Sequence, residues 1–525
     1  MNKVVLLLPL IFASTLGIQG CSSKTASILK ADTLIQNGKV YLGDSSGEKN
    51  VDVAICGELI CGVFEAGQQQ ISAKTIIDAS GQIVSPGFID PHTHSMDELL
   101  SNDKNHNLNY ITQGVTTVVS GNDGGGDYQI AKLAQQLEDN GIGTNVALLV
   151  GHNRVRAAVM GTENRTASDA EIKQMQTLVD NAMKEGALGL STGLYYVPGS
   201  YASTEEVVAL AETAAKYQGI YDTHLRDEAT FNIGFIAALE EAIHITGEAG
   251  IHLHLAHIKA LGVDAWGLSE AAINIIESAQ EAGASISADQ YPWLASGTKL
   301  HNAIMPKWVM ADSKQAFYDR LNNPELKIKL VAEISENIRR RGGPEALLVT
   351  AFDDTNLVGK TLKQLSQELG LPPAEAAMNL VQRGPIRVAS FNMSESDLAN
   401  FMKKSWVVTS SDGTNGHPRK YASFPKKFET YVKDKKYLSI DEFITRSSGQ
   451  TANVLGIEQR GFIRQGYAAD IIIWDENAYQ ANADFSNWNL LSTGLSEVWV
   501  NGQRVIENGQ YNEELAGKFV AKEVE

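Results

Sequence analysis

The stretch Gly87-Phe88-Ile89-Asp90-Pro91-His92-Thr93-His94 decides how the rest of this chain is read. It follows a short apolar run, Ile83-Val84, broken by Ser85-Pro86. On an extended segment, side chains at i and i+2 point to the same side, so His92 and His94 face one way. Imidazole nitrogens suit zinc and its neighbours, which makes a His-x-His pair at a strand end a candidate half of a metal site. Taken alone, the pair also reads as two surface histidines in a loop. The two readings part on whether later strands supply further ligands at their ends.

Outward from this motif, the chain has 525 residues, 43% of them hydrophobic, enough for a large barrel with an accessory domain. The formal net charge of -18 argues against a nucleic-acid partner, which calls for a basic face. No stretch of the body is apolar over the length of a membrane span.

The N-terminus reads as a targeting segment. Lys3 gives a positive start, Val4 to Ala13 is apolar, and Ile18-Gln19-Gly20-Cys21 has the form of a bacterial lipobox cut before Cys21, with Gln19 unusual at its place. Ser22 and Ser23 follow, without the Asp that retains lipoproteins in the inner membrane. The expectation is a signal peptide over 1–20, lipidation at Cys21, a linker over 21–30, and a lipoprotein anchored in the outer membrane and facing the periplasm. An ordinary signal peptide and a soluble periplasmic protein is the alternative. Membrane contact is expected only through the lipid.

Two other cysteines remain, Cys56 and Cys61. Val51 to Cys56 and Leu59 to Val63 read as a hairpin around Gly57-Glu58. In that register Cys56 lies opposite Leu59 and Cys61 opposite Ala54, so the thiols fall on opposite faces and are expected to be unpaired.

Residues 31–82 carry short alternating strands and glycine turns, a β pattern that returns after about Leu455. Residues 31–82 and 455–525 are therefore expected to form one composite β-sandwich. Between them, over 83–454, short apolar runs alternate with helical stretches. Eight runs stand out: Gln82 to Ile89, Val115 to Ser120, Asn145 to Gly151, Ala187 to Thr192, Gly219 to Leu225, His252 to Ile258, Ser285 to Tyr291 and Ser405 to Asp412. Helical patterns lie between, such as Asp169 to Glu185, with Ser168 as N-cap and Gly186 at the C-terminus. The pattern predicts an α/β protein built on a (β/α)8 TIM barrel. An open doubly wound sheet is the runner-up, weakened because no GxGxxG or P-loop follows the first strand. The long gap from Pro292 to about Lys404 predicts an insertion between strands seven and eight, about 295–400.

TIM-barrel chemistry sits at the C-terminal strand ends. Those ends carry His92 and His94 on strand one, Asn122-Asp123 on strand two, His224 on strand five, His257 and Lys259 on strand six, Tyr291 on strand seven and Asp412 on strand eight. By strand parity His252 and His254 face away from His257 and read as structural. His152, near the end of strand three, reads either as a ligand or as a capping and hydrogen-bonding residue, the second being favoured. A strand-one HxH, single histidines ending strands five and six and an Asp ending strand eight together make a metal site the favoured reading.

At this point the chain resembles the amidohydrolase superfamily, and within it the D-aminoacylases, or N-acyl-D-amino-acid deacylases. The resemblance runs through VSPGFIDPHTHSMDE, QGVTTVVSGNDGG, MKEGALGLSTGLYYVPGSYAST, YDTHLRDE, AHIKALG, DQYPW, SSDG, HPRKYASFP and RGFIRQGYAADIIIWD, covering nearly all of the mature chain. It implies a (β/α)8 barrel with a composite β-sandwich that binds zinc. By motif, His92 and His94 would hold the weaker metal, His224 and His257 the tighter zinc, and Asp412 matches the catalytic aspartate. The family's bridging Cys is replaced here by Asp123. A carboxylate can also bridge, and being harder it would accept Zn2+, Mn2+ or Co2+, as one ion or two. Strand four ends in Leu190-Ser191-Thr192-Gly193 without the Lys used by hydantoinases and dihydroorotases, which counts against those branches.

The resemblance further implies hydrolysis of linear amides, the N-acyl-D-amino acids, by metal-activated water, with Asp412 as general base and then acid. Arg419 matches the residue that holds the substrate carboxylate; Lys259 and Tyr291 match further substrate contacts, joined by Tyr195 or Tyr196. Arg226, Asp227 and Glu228 read as a network behind the ligands. A related hydrolase of D-amino-acid-containing dipeptides, or less readily of cyclic amides, is the alternative, and a non-catalytic surface-anchored binder a third. The expected partner is a small molecule, and nothing in the sequence indicates an oligomeric state.

Overall fold

A computed structural model describes residues 28–523, together with Met1. Cys21 and the segment before it, on which the export and lipidation readings rest, lie outside the described residues.

Eight parallel strands form the central element: β1 (Phe88–Thr93), β2 (Val115–Ser120), β3 (Asn145–Leu148 with Val150–Gly151), β4 (Gly189–Gly193), β5 (Ile220–His224), β6 (His252–Leu255), β7 (Ile286–Gln290) and β8 (Val407–Thr409). Each pairs in parallel with the next. A parallel bridge between Thr93 and Gly413 joins the end of the eighth segment to β1. All eight strands are almost wholly buried, as parallel strands covered by helices must be. The fold is a (β/α)8 barrel. Its helices begin where local chemistry starts them. Asp169–Lys184 opens with a reciprocal Ser168/Glu171 capping box, and Gly186 leaves the helix end at a left-handed φ of 97°.

The first apolar run is two strands. Ile83–Pro86 belongs to a second sheet, pairing with Ile471–Trp474, and the chain crosses into the barrel at Gly87. A Cβ at Gly87 would lie 2.2 Å from Thr116 Oγ1, so the crossing passes too close to β2 for any side chain. The eighth strand is also shorter than the apolar run predicts. Residues past Thr409 leave the ladder, and Asp412 sits at a positive φ of 47°.

Ile83–Pro86 lies in a seven-stranded sheet with Lys39–Tyr41, Glu48–Lys49 and the four C-terminal strands from Ile471 to Tyr511. A four-stranded sheet of Leu29–Gln36, Val51–Cys56, Leu59–Glu65 and Ile71–Asp78 packs on it. Val53, Ile55, Val84, Ile471, Ile473 and Trp499 share the core between them. In this hairpin the structure overturns one expectation: Cys56 and Cys61 are disulfide-bonded, with Cα atoms 5.6 Å apart. Cys56 does pair with Leu59 and Ile55 with Ile60, but a bulge then brings Ala54 opposite Gly62 and leaves Cys61 as the extra residue. A bulge breaks the two-residue alternation, and here it turns both sulfurs to one face.

Between β7 and β8 lies a subdomain with its own core of Leu330, Ile334, Leu365 and Leu380. Its antiparallel sheet places Arg387–Phe391 between Ala295–Lys299 and Leu347–Ala351. The first of these strands leads directly from the end of β7, so the sheet stands at the barrel mouth. Among the described residues no helix is long and apolar enough to cross a membrane.

Candidate metal centre

The C-terminal strand ends converge on Asp123. Its carboxylate lies 3.5 Å from the Nε2 atoms of both His92 and His94, 3.3 Å from His257 Nε2 and 3.6 Å from His224 Nδ1. Asp412 Oδ1 stands 3.3 Å from His94 Nε2 and 3.7 Å from His92 Nε2. Three candidate ligand groups result: His92, His94, Asp123 and Asp412; Asp123, His224 and His257; and, deeper, His92, Asp222 and Asp289; Asp123 is common to the first two. The carboxylate common to the first two groups is placed to serve one ion or two. Asp123, His257 and Asp412 all have positive φ, 57°, 38° and 47°, a backbone state found where a site dictates conformation.

The donor set fits a metal on independent grounds. His92 is fully buried, yet neither ring nitrogen has a hydrogen-bond partner, a state that calls for another ligand. Burial and Lys259 disfavour a charged His257, but Glu228, Asp412 and Asp123 outweigh them and lift its pKa to about 9. Burial also opposes ionisation of Asp412, yet Arg419, His257, His94 and His92 hold its carboxyl well below the usual range. The cage is thus an anionic centre that attracts protons where a cation would sit.

Behind the ligands, Glu228 is the key support. Its carboxylate lies 3.1 Å from His257 Nδ1 and 3.6 Å from His224 Nε2, and accepts from Lys259 Nζ at 2.7 Å. Glu228 and Lys259 together hold the Nδ1 edge of His257, and Nε2 is the nitrogen that faces Asp123. The grouping of Arg226, Asp227 and Glu228 therefore divides. Arg226 pairs with Glu241 at 2.8 Å, and Asp227 accepts from the backbone of Ala229, Asn232 and Gly234. His152 bonds Glu206 at 2.8 Å, a structural contact.

Parity misplaces His252 and His254. Strand β6 ends at Leu255 and His257 lies beyond it, so its direction is not set by strand alternation. His254 points into the barrel and bonds Asp289 at 3.1 Å, directly below His92 Nδ1, which is 3.8 Å from the same oxygen. Asp90 and Asp222, each two residues before a ligand, complete this lower layer. Burial pushes their pKa values up to about 7 and about 6. The i-2 spacing from His92 and His224 was the sequence signal for both.

Above the centre lies a cavity of about 410 Å³, walled by Tyr195, Tyr196, Phe231, Lys259, Arg341 and Arg419 among others. Arg419 Nη1 is 2.8 Å from Asp412 Oδ2. Lys259 is engaged with Glu228 and with His257, at 2.7 Å to Nδ1. The Tyr195 hydroxyl donates to Asn302 O at 2.9 Å while its ring edges the cavity. Tyr291 is not among the lining side chains. It is buried under Arg419, its ring 4.6 Å from the guanidinium carbon and its hydroxyl directed at Met393 Sδ.

The family model described as "Amidohydrolase family" matches residues 75–506. The chain belongs to the amidohydrolase family. This amidohydrolase is 30% identical to a D-aminoacylase of Alcaligenes xylosoxydans xylosoxydans, over 94% of this chain and 98% of that one. A crystal structure of D-aminoacylase superposes with a TM-score of 0.80 at 28% identity, covering 94% of this chain and all of that one. N-acyl-D-glutamate deacylase from Bordetella bronchiseptica, in complex with zinc and a phosphonate mimic of the tetrahedral intermediate, superposes at 0.79 and 26%, covering 94% of this chain and 100% of the other.

Proposed function

We propose that this amidohydrolase removes the acyl group from N-acyl-D-amino acids, releasing a carboxylate and a D-amino acid. One observation carries the reading: a carboxylate, Asp123, set among four imidazoles with Asp412 beside it, in a chain similar end to end to D-aminoacylase. His92, His94, Asp123, His224 and His257 would hold one or two ions, zinc first, with Mn2+ or Co2+ accepted by the carboxylate bridge. When bound, the metal lowers the pKa of water towards about 7 and polarises the amide carbonyl. Asp412, held ionised by its cationic neighbours, takes the proton from the attacking water and passes it to the departing nitrogen. Arg419 faces the cavity, where it grips the substrate carboxylate, and Tyr291 stacks beneath it and fixes its plane. Glu228 keeps His257 and His224 oriented.

The test is incubation of the purified, metal-loaded protein with matched N-acetyl-D- and N-acetyl-L-amino acids and D-containing dipeptides. Release of D-amino acid from the acetyl-D series alone is the expected result. Cleavage of the dipeptides alone would replace the substrate class, and no cleavage of any amide would overturn the reading.

We further propose export and lipid anchoring at Cys21, supported by the apolar run before Ile18-Gln19-Gly20-Cys21. Replacing Cys21 by Ser should move the protein from the membrane to the soluble fraction; unchanged fractionation and mobility would refute it.

A further inference from the structure

The cavity carries more positive charge than one carboxylate requires. Lys299 ends the strand Ala295–Lys299, Arg387 begins Arg387–Phe391, and the two are directly opposite in the antiparallel register. Like charges directly opposite on one face destabilise a sheet, so the pair has a cost. Among the described residues neither side chain makes an ion pair or a hydrogen bond. Both line the cavity.

Strand parity fixes where they look. Gly297 is two residues before Lys299 and shares its face. A Cβ on Gly297 would lie 3.4 Å from Arg419 Nη2 and 3.1 Å from Thr414 Oγ1, and Arg419 Nη2 donates to Gly297 O at 3.3 Å. The face that carries Lys299 and Arg387 is thus the face that looks at Arg419, one pleat repeat further along, roughly 7 Å. Arg387 is largely buried, and burial together with Arg419 disfavours its charge, which Tyr196, Asp412 and Asp97 offset only in part. Asp97 is exposed on the same cavity wall and pairs with neither cation.

We infer that Lys299 and Arg387 form a second anion-binding subsite beside Arg419, which takes a second carboxylate on the substrate. The inference rests on the deacylase reading and narrows it to dianionic N-acyl amino acids. The second carboxylate belongs either to the amino-acid side chain, as in an N-acyl-D-glutamate or D-aspartate, or to a dicarboxylic acyl group.

Two measurements on the full, metal-loaded protein test this. The first compares kcat/KM for N-acetyl-D-glutamate, N-acetyl-D-glutamine and N-succinyl-D-glutamine. The wild type should favour one of the two dianionic substrates, and which one identifies the source of the carboxylate. Lys299→Met and Arg387→Met should each lower that preference about 10- to 100-fold, mainly through KM, the range for a lost hydrogen bond to a charged group. Activity on N-acetyl-D-glutamine should change less than threefold. A wild type that favours N-acetyl-D-glutamine, or variants that lose all three substrates equally, would overturn the subsite while leaving the deacylase reading intact. The second measurement is calorimetric binding of glutarate against butyrate, which needs no turnover. Tighter binding of glutarate by the wild type, lost in both variants, is expected even if every amide proves inert. Equal binding of the two acids would overturn the subsite independently of the reaction.

Discussion

Arg419 Nη1 stands 2.8 Å from Asp412 Oδ2, so the arginine assigned to the substrate carboxylate already holds the aspartate assigned to the proton. The contact is an ion pair not aligned for a hydrogen bond, so Nη1 keeps an unused donor for an incoming anion while Nη2 and the Tyr291 ring hold the guanidinium in place.

Two effects should therefore follow from Arg419→Ala. KM for N-acyl amino acids should rise about 10- to 100-fold, and far less for their C-terminal amides, because the lost partner is a carboxylate. The kcat on both should fall, because Asp412 loses its neighbour. Steady-state kinetics on acid and amide pairs separates the two. Equal KM changes on both would mean that Arg419 serves Asp412 alone.

Asp123 touches both ligand groups, so Asp123→Asn should lower metal content and activity together while the fold survives. Asp123→Cys should restore binding and favour zinc, the softer ligand selecting the softer metal. Metal analysis beside thermal melts decides. Full metal occupancy in Asp123→Asn would reduce Asp123 to a loop-capping residue.

The Cys56–Cys61 bond closes a very short loop in the accessory sandwich. Chain-entropy arguments give such a loop about 2 kcal/mol. The double Ser variant should lose no more than that in denaturant melts and keep its activity, since the bond lies in the four-stranded sheet and the candidate ligands lie at the barrel strand ends. A non-reduced tryptic peptide lighter by two hydrogens is the expected mass; free thiols would contradict the bulged register.

Lys427 is buried and donates to Thr409 Oγ1 at 3.0 Å, below the barrel mouth. Burial, then Arg446, depress its pKa from 10.5 to about 7. Between those values the unfolded chain binds more protons, so this group makes stability rise with pH across that window. Its penalty is complete below about 7 and gone above the unfolded value. Lys427→Met should therefore be more stable than the wild type near neutral pH, with the difference shrinking towards pH ~10. Parallel Tm curves for the two proteins would refute the depressed pKa.

Much of this protein was legible from local pattern alone. Eight buried apolar runs separated by helices announce a barrel, because parallel strands must be covered on both faces. Once a barrel is assumed, chemistry collects at strand ends, and His92, His94, Asp123, His224, His257 and Asp412 can be picked out by position and brought together on paper. The structure does bring them within reach of one another. The lower layer of Asp90 and Asp222 was equally within reach, two residues before the candidate ligands His92 and His224 on the same faces.

What only the tertiary structure decided are the places where alternation breaks or where distant segments meet. A single bulged residue reverses the face of Cys61 and makes a disulfide possible. The strand end at Leu255 frees His257 from the parity of His254 and sends both inward. Gly87 divides one apolar run between two sheets because Thr116, far along the chain, leaves no room for a side chain. The pairing of Lys299 with Arg387 joins residues at the two ends of an insertion, a register that no local periodicity records. Local sequence sets which face a side chain takes while the backbone stays regular; bulges, left-handed turns and long-range registers are settled by packing between segments that only the folded chain brings together.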